Sequence, residues 1–217
     1  MKYIIMCGGH YDYWQQPKQL TCINGEPIVM RTIRLLHEAG IDDIAISTND
    51  ERFGECGVPL IGHDNDFVVH AYNDYKGHWV NCFVPCNKPM CYLFGDVVFS
   101  PEAIKTIVST QVHDVMFFAS APPFSEAYFK EWAEPFAFKV NNQQRFRVAI
   151  DFIRENEHSG IFSRPPIAWE LWQVIKGENV RDINYENYIA INDYTCDIDS
   201  PDDVEKIEKA MEAWKKH

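Results

Sequence analysis

Met1-Lys2-Tyr3-Ile4-Ile5-Met6-Cys7-Gly8-Gly9-His10-Tyr11-Asp12-Tyr13-Trp14-Gln15-Gln16-Pro17-Lys18-Gln19-Leu20 is the stretch on which the reading of this chain turns. The apolar run Tyr3 to Cys7 is short and uncharged, the pattern of a buried strand, and it ends at Gly8-Gly9. Pro17-Lys18 follows a short loop later. Glycine has no Cβ to hold a ligand away, so backbone N–H groups of such a loop can reach a phosphate chain. A lysine fixed just beyond offers a mobile positive charge to the same phosphates. Gly8-Gly9 alone also fits an ordinary tight turn; the Pro-Lys context is what points to phosphate.

Outward from this stretch, strand and helix signals alternate. The first strand covers residues 2–7. A helix over 27–39 has Pro27 at its first turn and Gly40 just past its end, with Ile28, Val29, Ile33, Leu35 and Leu36 at helical spacing. Ile44-Ala45-Ile46-Ser47 is a second strand, and the β-α-β order implies a parallel pair with a right-handed crossover. Residues 49–62 form a connection ending in a strand-like Val58-Pro59-Leu60-Ile61. The segment 64–75 reads as a helix capped by Asp64 or Asn65. Strands are expected at 90–94 and 115–119, with a helix between them opened by Ser100 as cap and Pro101 at its first position. From 120 to 190 the pattern is irregular, broken by Pro122-Pro123 and Pro165-Pro166, with a helix over 167–176. A last helix runs to Lys216, acidic early and basic late, as its dipole favours. One domain over 1–217 is expected, with no internal repeat or linker.

Composition bounds the partners. The net charge is −12, from 20 Lys+Arg against 32 Asp+Glu, which argues against a duplex nucleic-acid or anionic-membrane surface. A small polyphosphate is compatible, since it needs local donors and a carboxylate-held Mg²⁺ can offset its charge. No apolar stretch approaches the roughly 20 residues that span a bilayer, and no secretory signal is recognisable. The seven cysteines are odd in number. Cys82, Cys86 and Cys91 lack a CxxC pair, so the thiols read as reduced and buried, in a cytoplasmic protein.

In an open α/β sheet, ligands bind beyond the carboxyl ends of the strands. Three polar features fall at such ends: Gly8-Gly9 with Lys18, then Asp96, then Asp197 and Asp199. Brought together they form a phosphate loop, a lysine and carboxylates, the minimum set for Mg²⁺-assisted displacement at phosphorus. Taken singly, Asp96 also fits a turn aspartate, and Asp199-Ser200-Pro201 a helix N-cap.

Several segments together resemble the nucleotidyltransferases, enzymes that join a nucleoside triphosphate to a sugar or alcohol phosphate. They are Tyr3 to Gly9, Pro17-Lys18-Gln19-Leu20, Ile23-Asn24-Gly25-Glu26-Pro27-Ile28, Ala39-Gly40-Ile41-Asp42-Asp43-Ile44, Leu93-Phe94-Gly95-Asp96-Val97-Val98-Phe99, and Asp197-Ile198-Asp199-Ser200-Pro201-Asp202-Asp203-Val204. The resemblance is nearest to the small sugar-phosphate and phosphocholine cytidylyltransferases. It implies an α/β fold of three α/β/α layers on a Rossmann-like mixed sheet of the GT-A type. By the same resemblance, Lys18, Asp96 and Asp199 are the catalytic set. Cys7, Gly8, Gly9, His10, Lys18 and Asp64 bind nucleotide; Asp96, Asp199 and neighbouring Asp197 hold Mg²⁺; Lys139 and Arg164 face the acceptor. Residues 1–119 form the nucleotide-binding half, 120–190 the acceptor region, and 191–217 the closing metal-ligand strand and helix. CTP is favoured slightly among nucleotides, for surface glycan or lipid precursor synthesis. The expected partners are the nucleotide, a small phosphorylated acceptor and, where the chain self-associates, a second copy of it in a homodimer.

One departure stands out. Relatives carry an arginine between the glycine pair and Pro-Lys, where this chain has His10-Tyr11-Asp12-Tyr13-Trp14-Gln15-Gln16. Two alternatives therefore stay open: a GT-A glycosyltransferase that consumes a nucleotide sugar, against which the single aspartate of Gly95-Asp96-Val97-Val98 weighs, and an inactive nucleotide-binding module. Trp169, Trp172, Phe124 and Tyr128 fit either an aromatic wall for a choline-like or sugar face or simple core packing.

Overall fold

β1 (Lys2–Met6) alternates between two cores, Tyr3 and Ile5 to one side and Ile4 and Met6 to the other, which is why it reads as a continuous apolar run. The computed structural model describes residues 1–8, 10–11, 14–62, 68–69, 79–84, 86–120 and 133–215, with 10–11 and 68–69 as backbone. β2 (His10–Tyr11) follows, then the hairpin β3 (Cys22–Ile23) and β4 (Glu26–Pro27). Asn24 and Gly25 take left-handed φ values of 51° and 82° at its tip, as a two-residue hairpin turn requires. α1 (Ile28–Glu38) leads to β5 (Ile44–Ser47), β6 (Leu60–Ile61) and β7 (Val68–Val69). Next come β8 (Met90–Phe94), β9 (Val97–Val98), α2 (Pro101–Ser109) and β10 (Val115–Ala119). β11 (Pro135–Val140), α3 (Gln143–Asn156), α4 (Ala168–Lys176), β12 (Ile189–Ala190), β13 (Cys196–Asp197) and α5 (Asp203–Trp214) complete the order.

Seven strands pair in the order β12-β10-β11-β8-β1-β5-β6. β5, β1 and β8 are mutually parallel, and β11 runs antiparallel between β8 and β10. α1 and α2 pack with Val29, Ile33, Leu36, Ile104 and Ile107 on one face. α3 and α4 cover the other with Phe146, Ile150, Ile153, Trp169 and Leu171. The result is the expected three-layer α/β/α arrangement on a mixed sheet. A third core joins α5, through Ile207 and Met211, to Trp14, Ile23, Ile28 and Ile198. None of the seven cysteines is joined in a disulfide, and among the described residues no helix is long and apolar enough to cross a membrane.

Two elements depart from the expectation of an irregular stretch over 120–190. β11 is a full six-residue strand, and α3 spans 14 residues. α3 carries its own signals: the Asn142 side chain caps it by accepting from Arg145 N at 3.0 Å, and Phe146, Ala149, Ile150 and Ile153 recur on one buried face. The expected helix over 64–75 is corrected where it can be seen. Its β-branched pair Val68–Val69 bridges to His10–Tyr11 as a strand; the rest of that segment lies outside the described residues. Trp169 and Trp172 are 1% and 5% exposed, so they pack the core rather than wall a pocket. Phe124 and Tyr128 lie outside the described residues.

Candidate active site

The carboxyl ends of β1 and β8 lie side by side, since the strands pair in parallel register from Lys2↔Met90 to Met6↔Phe94. Gly95 then turns back against β1. Its N–H donates to the Met6 carbonyl at 3.0 Å, and a Cβ there would stand 2.4 Å from that oxygen and 2.7 Å from Cys7 Sγ. Only glycine allows this approach, which carries Asp96 to the end of β1.

Pro17 leads into a short 3-10 turn, Lys18–Leu20. Lys18 Nζ lies 2.5 Å from Asp96 Oδ2, and the two side chains are 12% and 23% exposed. The same ammonium donates to the Ile198 carbonyl at 3.1 Å. Ile198 N–H donates to the Asp96 carbonyl at 3.1 Å, and β13 pairs with β9 so that Asp197 faces Val97. Three segments far apart in sequence thus meet at one sheet edge: Lys18, Asp96 and the Asp197–Asp199 run.

The structure adds a residue that the sequence reading lacks. Glu134 is 1% exposed. Its Oε2 accepts from Asp197 N at 2.9 Å. Its backbone is clasped by Ser120, whose N–H donates to the Glu134 carbonyl and whose Oγ accepts from Glu134 N, each at 2.9 Å. Carboxylate oxygens of Glu134, Asp197 and Asp199 all lie within 4.8 Å of one another. The reason Glu134 arrives here is topological. β11 is antiparallel to β8, so its start shares the edge where β8 ends. The available signal is a lone acid in Ala133-Glu134-Pro135-Phe136-Ala137-Phe138.

Other expected residues fall differently. Cys7 is 4% exposed, and its N–H donates to the Ser47 carbonyl at 2.9 Å, so donors for a ligand begin at Gly8. Burial, then the nearby Asp96 charge, pushes the Cys7 thiol well above its usual range. Gly9, the His10 side chain and Asp64 lie outside the described residues. Lys139 is corrected: it sits at the opposite sheet edge, beside the start of β8, and its Nζ donates to the carbonyls of Ile107, Val108 and Thr110 at 2.8, 2.9 and 2.7 Å. It satisfies the C-terminal end of α2, where helix carbonyls have no partner of their own. Arg164 Nε donates to Glu170 Oε1 at 2.7 Å, with 46% of its side chain exposed. The N-cap reading of Asp199 and Ser200 also gives way: α5 begins after Asp202, and the Asp203 carboxylate reaches back to both of their N–H groups.

Residues 3–110 match the model of the MobA-like NTP transferase domain. A Bacillus anthracis protein assigned as a glucose-1-phosphate thymidylyltransferase, solved in complex with a sucrose, superposes with a TM-score of 0.62 at 16% identity, covering 96% of this chain and 94% of that one. The CTP:phosphocholine cytidylyltransferase of Streptococcus pneumoniae superposes with a TM-score of 0.54 at 18% identity, covering 97% and 98%. Residues 3–110 thus carry the MobA-like NTP transferase domain, and the fold shared with these two structures takes in the residues beyond.

Proposed function

We propose that the chain is a Mg²⁺-dependent nucleotidyltransferase that joins a nucleoside triphosphate, CTP foremost, to a small sugar or alcohol phosphate. The observation that carries this reading is the meeting of Lys18, Asp96, Glu134, Asp197 and Asp199 at one end of the parallel strands. An acceptor phosphate oxygen forms a new bond to the α-phosphorus, the bond from that phosphorus to the β-phosphate oxygen breaks, and pyrophosphate leaves. The Gly8 N–H would be offered to the phosphates at the end of β1. Lys18 is a point charge held at the site by Asp96 and the Ile198 carbonyl, positioned to balance charge on the reacting phosphates.

The donor set suits Mg²⁺. All three clustered groups offer hard carboxylate oxygens, the ligands Mg²⁺ prefers, and these lie within 4.8 Å of one another. Asp197, Asp199 and Glu134 would hold it, with Asp96 alongside. Bound there, Mg²⁺ would supply positive charge against the charge that builds on the phosphates. Residues 1–119 would carry the nucleotide, 120–190 the acceptor, with Arg164 as its cation, and 191–217 would close the site. CTP is supported by the Asp-Ile-Asp-Ser ending and by the cytidylyltransferase among the structural neighbours. A nucleotide-activated product suits surface glycan or lipid assembly in the cytoplasm.

The test is pyrophosphate release with each common nucleoside triphosphate, Mg²⁺, and a panel of sugar 1-phosphates and phosphocholine. Release that requires the acceptor and is abolished by a chelator supports the reading. Nucleotide binding with no release on any acceptor supports the inactive module, and sugar transfer from a nucleotide sugar supports the glycosyltransferase.

A further inference from the structure

The segment that brings Asp197 and Asp199 to the site is anchored through its backbone at four successive residues. Asp197 N–H donates to Glu134 Oε2 at 2.9 Å. Ile198 N–H donates to the Asp96 carbonyl, and the Ile198 carbonyl accepts from Lys18 Nζ, both at 3.1 Å. Asp199 N–H and Ser200 N–H both donate to Asp203 Oδ2, at 3.0 Å each. Glu134, Asp96 and Lys18 belong to the site itself; Asp203 does not.

Asp203 is built for the task. It is 5% exposed, lies in the first turn of α5, and its other oxygen, Oδ1, is 3.1 Å from Lys206 Nζ. A carboxylate there is favoured by the helix dipole. One oxygen receiving two consecutive N–H groups fixes the backbone on both sides of the Asp199–Ser200 peptide. That sets the direction in which Asp199 leaves the chain.

We infer that Asp203 is a positioning residue, which holds the Asp199–Ser200 backbone so that the Asp199 carboxylate converges with those of Asp197 and Glu134 on a divalent cation. The inference rests on the metal-dependent reading above. Outer-shell groups of this kind change metal affinity by about 10–100-fold when removed.

The test is Mn²⁺ binding, read from the electron paramagnetic resonance of free Mn²⁺ with no nucleotide present, alongside thermal unfolding of each variant. Asp203→Ala should weaken Mn²⁺ binding about tenfold or more. Asp203→Glu, which keeps the charge but moves the acceptor by one methylene, should weaken it too, and carries the test if the alanine variant does not fold. Asp203→Asn retains one oxygen that can accept both N–H groups, and should bind Mn²⁺ within about twofold of the parent, a rescue that places the effect in the hydrogen bonds. Lys206→Ala should leave Mn²⁺ affinity unchanged. Folded alanine and glutamate variants that bind Mn²⁺ like the parent would overturn the positioning role and leave the metal-dependent reading standing, as would an asparagine variant as weak as alanine. A parent chain that binds no Mn²⁺ would overturn both.

Discussion

The two edges of the central sheet each hold a lysine drawn out of bulk water, and the two lysines do different things. At the edge where β1 and β8 end, Lys18 faces a carboxylate and one carbonyl, in a group of acids contributed by three separate segments. At the opposite edge, Lys139 faces three main-chain carbonyls and closes the end of α2. A buried ammonium surrounded only by neutral main-chain oxygens is a cap. One poised between a charged partner and a strand-end loop would, under the proposed function, exchange that partner for a phosphate. Burial alone does not separate the two cases; the identity of the acceptors does.

Four changes would break or sharpen this contrast. Lys18→Ala has the largest expected effect: turnover should fall on the order of 10²–10³-fold, while the chain stays folded. Steady-state pyrophosphate release beside thermal unfolding reads both quantities. A large loss of stability would make Lys18 a structural lysine after all. Lys139→Met should do the reverse, leaving three carbonyls at the end of α2 without their donor. A loss of about 2–3 kcal/mol, equivalent to roughly 4–12 °C in Tm at this chain length, should accompany unchanged kcat/KM per folded molecule. Unchanged stability with lost activity would return Lys139 to the acceptor site.

Gly95→Ala tests the approach that brings Asp96 to Lys18. The added methyl group would meet the Met6 carbonyl first, with the buried Cys7 Sγ close behind it. Denaturant titration should show a loss of about 1–3 kcal/mol, with activity reduced in the part that still folds. Full activity would mean that the turn can move without disturbing the Lys18–Asp96 pair. The smallest effect concerns pH. Burial lowers the Lys139 ammonium below its ordinary value of 10.5, so in the alkaline window beneath that value the unfolded chain binds more protons than the folded one. Stability should then rise with pH through that window. Denaturation midpoints of the parent chain should show this rise, and those of Lys139→Met should lack it.

The half of the site that lies in β-α-β order was legible in the sequence. β5, β8 and β10 coincide with their apolar runs, and Ser100 caps α2 as its position before Pro101 suggests, with Oγ 2.8 Å from Ala103 N. These strands are buried on both faces, so composition alone marks them. β11 is equally buried, but it opens on a proline and carries Lys139, and so does not stand out as a run. Its reversed direction had a second cost. A search of strand ends could find Asp96 and not Glu134, which stands at a strand start. Asp203 was visible as part of an acidic pair, but its role depends on a turn that brings it back toward Asp199. α3 is a different case: its periodicity was present and was masked by neighbouring proline pairs.

The hydrogen bond between Lys18 and the Ile198 carbonyl joins residues 180 apart in sequence. During synthesis at 5–20 residues per second, about ten to forty seconds separate the emergence of the two. Throughout that interval the nascent chain has its glycine loop, Lys18 and, later, Asp96, but neither Asp197 nor Asp199. Such a chain can fold its parallel strands and still be unable to assemble the three-carboxylate group. Completion of the site is therefore a late event in the life of each molecule, and fragments ending before residue 197 should be silent in any assay that depends on it.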